Sequence, residues 1–234
     1  MSTVNIVIGV VFLVCVLAGM WQGMFRVLIS VAGLIASMVV AVYIAPHVSG
    51  YIEQNMQVDE KLAQYITDKL QFSESGEETS RGIQVALIEE LPLPETMKQN
   101  ILDNNNSEMY GVLNAVGVYD YIARSIAMVV LNASVFLVLV LICRIFFFFL
   151  GRTAKGLSKL PILCSIDKVG GGMLGAIKGL ILIWIFFLVL SVTSAMDWSQ
   201  TLIGQINQSA ILKMLYDNNV LVGIVGDLTK VLFL

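Results

Sequence analysis

Long runs without a charged residue are the feature that most constrains how this chain can fold. Between residues 1 and 52 the only charged side chain is Arg26, which divides an apolar stretch into Val4–Met20 and Val27–Ala45. A third uncharged run is Ser125–Cys143, and Gly179–Met196 supplies another 18 residues. Each run approaches the roughly 20 residues that an α-helix needs to cross a bilayer. The sequence therefore predicts four membrane-spanning helices.

Composition excludes several classes of protein. Of 234 residues, 57% are hydrophobic and 13% are charged, against roughly 25% charged in soluble domains. The net charge is -3, so the chain lacks the excess of basic residues that is typical of nucleic-acid-binding proteins. The chain has one histidine, His47, and three cysteines without a Cys-x-x-Cys pair, which argues against the common zinc and non-haem iron sites. We expect no metal and no cofactor.

The first two apolar runs are joined by only a few residues, Trp21, Gln22 and Gly23. A polar connection this short makes the two helices antiparallel neighbours. One long kinked helix is the alternative, but two spans fit the lengths better. Because no basic residue precedes Phe25, the first run lacks the start of a secretory signal peptide, and we expect it to remain as an anchor.

The predicted fold is an all-α integral membrane protein with four transmembrane helices arranged as two antiparallel hairpins. Hairpin 1 covers residues 1–47, and hairpin 2 covers 121–196 with a basic loop at 151–168. Between them, residues 48–120 carry thirteen acids against four bases and are expected to form a small helical domain. Its helical signals are Val58, Leu62, Ile66 and Leu70 at every fourth position, an apolar patch at 85–88, and Pro94 opening a helix to about Leu102.

Residues 197–234 form a tail that is too short and too charged to span a bilayer. Leu221, Val225, Leu228 and Leu232 share one face of a predicted amphipathic helix. Such a helix could lie in the membrane interface or could pack on the acidic domain, and periodicity alone does not separate the two.

Basic residues predict the orientation. They cluster around the loop between the third and fourth spans, at Arg144, Arg152, Lys155, Lys159 and Lys168, and Arg26 lies at the first turn. The positive-inside rule then places both turns in the cytoplasm. The amino terminus, the acidic domain and the carboxyl terminus of a multi-pass protein of the cell membrane would face outward.

Two glycine motifs occupy corresponding places in the two halves of the chain. Gly19, Gly23 and Arg26 form Gly-x-x-x-Gly-x-x-Arg, and Gly171, Gly175 and Lys178 form Gly-x-x-x-Gly-x-x-Lys, with Gly179 extending the second series. Glycines four residues apart lie on one helix face and let another backbone approach closely, which is how helices pack in lipid. The motifs predict a packing face and suggest a degenerate repeat.

Lys178 is the cation that could lie deepest in a span. If the fourth span begins near Gly179, the amine reaches the cytoplasmic headgroups by snorkelling; otherwise it lines a polar cavity. None of the four uncharged runs contains an acid, so the carboxylate relay of a proton-coupled transporter is missing.

Motifs for catalysis are also missing, and the chain is not expected to be an enzyme. Gly170–Gly172 lacks the Gly-Lys-Ser/Thr ending of a phosphate loop. Four serines in the apolar runs have no histidine near them in sequence and are expected to bond back to helix carbonyls: Ser30, Ser37, Ser125 and Ser134.

The chain resembles the colicin V production protein (CvpA) family. The resemblance lies in Gly19, Gly23, Phe25 and Arg26 at the first turn, in Ser165–Gly179 with Asp167 and its glycines, and more weakly in Gln208–Leu212. It marks Arg26, Asp167 and Lys178 as the polar members of the family motifs. It implies an inner membrane protein linked to colicin V production or export and to envelope homeostasis.

Three functions remain open from the sequence. The first is an envelope scaffold or accessory factor, homo-oligomeric or bound to a membrane or extracytoplasmic protein, with the lipid bilayer as its surroundings. The second is a small channel or transporter in which Lys178 and Arg144 line an anion-attracting path. The third, an integral membrane enzyme, is disfavoured because no nucleophile, base and orienting group can be assembled.

Overall fold

The computed structural model describes residues 3–56, 58–70, 81–153 and 164–231. All regular structure in these ranges is α-helical. The helices are α1 (Thr3–Gln22), α2 (Met24–Met56), α3 (Val58–Leu70), α4 (Arg81–Glu89), α5 (Glu95–Asp103), α6 (Ser107–Val112), α7 (Val118–Thr153), α8 (Cys164–Val192), α9 (Asp197–Asn207), α10 (Ala210–Asp217) and α11 (Val220–Val231).

Four of these helices are long and apolar enough to cross a membrane: α1, α2, the Val118–Phe149 part of α7 and the Asp167–Val192 part of α8. The helices extend beyond the uncharged runs that predicted them. Helix α2 continues through Pro46 to Met56, and α8 begins at Cys164, well before Gly179. An uncharged run marks only the length matched to hydrocarbon, whereas a helix ends where capping and backbone geometry end it.

The helical signals of the acidic region are confirmed. Helix α3 spans Val58–Leu70, the segment with apolar residues at every fourth position. Pro94 is the N-cap of α5, and its fixed φ suits the start of a helix. Asn106 then opens α6, where its side-chain oxygen accepts a hydrogen bond from the Met109 amide at 3.0 Å.

The tail forms three helices rather than a single amphipathic one. Ser209 is the N-cap of α10, and its hydroxyl accepts from the Leu212 amide. The Asn219 side-chain oxygen accepts from the Leu221 amide at 3.0 Å just before α11. Serine and asparagine favour such local hydrogen bonds over continued helix, which explains both breaks.

Helix α11 packs on α5 of the acidic region. A Cβ added at Gly226 on α11 would collide with Asn100 on α5. Thr96 on α5 also donates its hydroxyl to the backbone carbonyl of Asp217 at the end of α10. Leu221 and Val225, on the predicted apolar face, are buried. Of the two interpretations of the tail, the one that packs it on the acidic domain therefore describes the structure.

The chain divides into two compact units. Unit 1 comprises residues 1–44 and 136–186, and unit 2 comprises 45–135 and 187–234. Within unit 2, the buried ring of Tyr216 meets Phe187 edge to face, with centroids 5.6 Å apart. Burial raises the pKa of the Tyr216 hydroxyl, the charge of Asp217 adds to this effect, and Ser191 opposes it.

Candidate functional site

In unit 1 the two glycine motifs face each other across the contact between α1 and α8. A Cβ added at Gly19 would collide with the carbonyl oxygen of Gly171 and lie 3.0 Å from the Cα of Gly175. A Cβ at Gly175 would lie 2.5 Å from the carbonyl oxygen of Cys15. Both neighbours are backbone atoms, which cannot turn aside as a flexible side chain can. Any larger residue here would force the helices apart.

The order of the contacts shows that α1 and α8 run antiparallel. Gly171 lies against Gly19, Gly175 against Cys15 and Gly19, and Gly179 against Cys15 and Phe12. As the number rises along α8, it falls along α1. The contact covers Gly171 to Gly179, about 12 Å of helix, and small residues at four-residue spacing provide its closest points.

The turn between α1 and α2 is the single residue Gly23, which has a φ of +80°. This left-handed conformation strongly favours glycine, because a Cβ would clash with the backbone. The Asp167 carboxylate from the first turn of α8 occupies the space beside it. Its Oδ1 accepts a hydrogen bond from the Met24 amide at 2.7 Å, and its Oδ2 lies where a Gly23 Cβ would be.

Asp167 thus satisfies a free amide at the start of α2 from another helix. A carboxylate at a helix N-terminus is favourable because the unpaired amides there carry partial positive charge. The same side chain lies in the first turn of its own helix, α8. One family-motif residue therefore holds the α1–α2 turn against the amino-terminal end of α8.

The other two polar residues of the family motifs lie apart from this contact. Arg26 is exposed in the first turn of α2, and Lys178 is half-buried on α8. Lys178 lies 11 residues beyond Asp167 in one continuous helix, which is about 16 Å along the axis. The helix thus begins well before Gly179, and Lys178 lies inside the candidate span, which is defined by length and composition.

A second polar contact in unit 1 was not predicted from the sequence. The Arg144 guanidinium on α7 donates from Nη2 to the Ser30 hydroxyl on α2 at 3.0 Å. A Cβ added at Gly33 would lie 3.0 Å from Nη1, so the glycine leaves room for the guanidinium. Ser30 and Gly33 are three residues apart and share a helix face, a spacing that the sequence does show.

Two of the other serines behave as expected. Ser37 donates to the Gly33 carbonyl and Ser134 to the Val130 carbonyl, both at 2.7 Å and four residues back. Ser30 differs because the guanidinium reaches its hydroxyl. Within the described residues, no group of three or more histidine, cysteine, aspartate or glutamate side chains could hold a metal ion.

These features define an all-helical, multi-pass membrane protein whose first and last candidate spans are in backbone contact. The chain belongs to the colicin V production protein family, whose model matches residues 4–72 and 109–220. The matched ranges contain both glycine motifs, Arg26, Asp167 and Lys178, whereas residues 73–108 of the acidic region lie between them. Searches among curated proteins and among solved structures found no match.

Proposed function

We propose that this protein is a non-enzymatic membrane scaffold or accessory factor in toxin production or export and in envelope homeostasis. The observation that carries the proposal is the backbone contact between α1 and α8. Helices that touch through Gly19, Gly171 and Gly175 leave no width for a solute between them. The Asp167 hydrogen bond to Met24 holds the adjoining turn. Unit 1 is thereby suited to present other surfaces in a fixed geometry.

The acidic region and the tail provide the surface that would meet an extracytoplasmic partner, either a second copy or another envelope protein. Helices α5 and α11 pack together, which keeps the tail on the same side of the membrane as the acidic region. The Met24–Asp167 hydrogen bond supports a topology in which the first turn and the amino-terminal end of α8 share one side. The basic residues around that end favour the cytoplasm.

A channel or transporter is the second candidate, and the position of Lys178 favours it. A half-buried lysine well inside a candidate span is the kind of residue that lines ion or substrate paths. The sequence analysis paired Lys178 with Arg144 in one anion-attracting path. Arg144 instead donates to Ser30 on α2, and no described contact joins the two cations.

Flux through reconstituted protein separates the two candidates. The purified full chain is placed in liposomes, and chloride and potassium flux are compared with protein-free vesicles. The scaffold proposal expects equal flux in both, with Lys178→Met indistinguishable from the unaltered protein. A conductance that Lys178→Met abolishes would replace the scaffold by the channel.

A further inference from the structure

The Arg144 guanidinium is positively charged, but its described hydrogen-bond partner is neutral. Its hydrogen bond at Nη2 goes to the Ser30 hydroxyl, which is uncharged. No described carboxylate pairs with Arg144, whereas Arg124 in unit 2 pairs with Asp120. Guanidinium carries five N–H donors and stays charged at any physiological pH. The charge of Arg144 is thus not neutralised by a carboxylate in the described part of the chain.

The geometry leaves donors free on both members of the pair. Nη1, the second terminal nitrogen, packs against Gly33 and has no described hydrogen-bond partner. The Ser30 oxygen accepts from Arg144 and donates to no described group, so its hydrogen can point to a further acceptor. The two terminal nitrogens and the hydroxyl are neighbouring donors, and such a group suits an anion with several oxygens. Guanidinium binds anions of this kind by two parallel hydrogen bonds.

The position along the helices matches the headgroup layer of a bilayer. Arg144 directly follows the uncharged run that ends at Cys143, and Ser30 lies three residues inside the run that begins at Val27. Three residues of helix are about 4.5 Å. The candidate span of α7 continues five residues beyond Arg144, to Phe149, which is about 7.5 Å. The pair therefore lies near one end of the span, where a long arginine side chain can reach the phospholipid phosphates.

The surroundings favour a lipid over a dissolved anion. Arg144 and Ser30 are half-buried, and the residues beside them are apolar and exposed: Ile29 is 67% exposed, Ile145 49% and Phe146 62%. An apolar surface around a cation suits a ligand that has both acyl chains and a phosphate. A free phosphate would bring no group for these side chains to contact.

We propose that Arg144, held against Gly33, and Ser30 bind the phosphate of an anionic phospholipid headgroup. The guanidinium pairs with two phosphate oxygens, and Ser30 donates to a third while it keeps its hydrogen bond from Nη2. The acyl chains lie along the exposed apolar side chains of α2 and α7. This site is independent of whether the protein acts as a scaffold or as a channel.

The test measures the lipid retained by the purified full-length protein in native mass spectrometry. The probe is dioleoylphosphatidylglycerol, and dioleoylglycerol is the matched lipid without phosphate. We expect the protein to retain dioleoylphosphatidylglycerol but not dioleoylglycerol. In Arg144→Gln the retained phospholipid should fall about tenfold, because the variant loses a hydrogen bond from a charged donor. Arg26→Gln is the control, because Arg26 is an exposed arginine in the first turn of α2, the helix that carries Ser30.

The remaining outcomes also decide the proposal. Equal retention by Arg144→Gln and by the unaltered protein would overturn it, as would an equal loss in Arg26→Gln. If Arg144→Gln does not fold, Ser30→Ala decides: we expect a loss of about threefold, and unchanged retention refutes the site. If inorganic phosphate binds to the protein alone and displaces the lipid at millimolar concentration, the ligand of this site is a free anion, and the lipid proposal is refuted.

Discussion

Single glycines set the distance between helices in unit 1, so individual glycine positions differ sharply in the side chains that they tolerate. Gly175 faces the Cys15 carbonyl, whereas Gly9 on α1 has no atom within 4 Å of an added Cβ. The sequence shows both as glycines in apolar runs. Only the four-residue spacing with Gly171 and Gly179 distinguishes Gly175 in advance.

Gly175→Leu is expected to lower the free energy of unfolding by about 1 to 3 kcal/mol, the usual cost of overpacking a tight contact. The matched control is Gly9→Leu, which adds the same side chain in open space and should change little. The thermal midpoint of the purified protein in detergent measures both variants. Equal midpoints would show that the glycines do not form the contact that holds α1 against α8.

At the scale of elements, apolar periodicity predicted where helices occur but not which surfaces they meet. The periodic segment Val58–Leu70 is a helix, and Pro94 starts another, because local propensity and capping act over a few residues. The partner of α11 could not be predicted, since it depends on residues more than a hundred positions away. The hydrogen bonds of Arg144 and Asp167 are of the same long-range kind.

The packing of the tail on α5 predicts an effect for the Thr96 hydroxyl. Thr96→Val keeps the shape of the side chain but removes the hydrogen bond to the Asp217 carbonyl, at an expected cost of about 1 kcal/mol. Thr201→Val is the control, because Thr201 is exposed and bonds only within its own helix. Hydrogen exchange of the amides at the end of α10 and in α11 should rise in the first variant and not in the second. Unchanged exchange of both segments in Thr96→Val would contradict the docking role.

For the whole molecule, the arrangement across the membrane follows from few basic residues and is tested directly. In a chain without Cys15, Cys143 and Cys164, new cysteines replace Glu60, Gln208 and Lys168 one at a time; all three sites are exposed. In intact cells a membrane-impermeant maleimide should label the first two variants. Lys168→Cys should react only after permeabilisation, because the proposed topology places the basic side in the cytoplasm.

The reverse labelling pattern would invert the topology. Different results for Glu60→Cys and Gln208→Cys would separate the tail from the acidic region, against the contact of α5 with α11.

The one-residue connection at Gly23 fixes the rotation of α2 about its own axis relative to α1, as well as the distance between the two helices. Each residue added or removed there would turn α2 by about 100° about its axis. Ser30 and Gly33 would then swing away from Arg144, and Met24 would no longer offer its amide to Asp167. The length of this turn is therefore fixed by contacts on two other helices, and a change of length would disturb more of unit 1 than most changes of side chain.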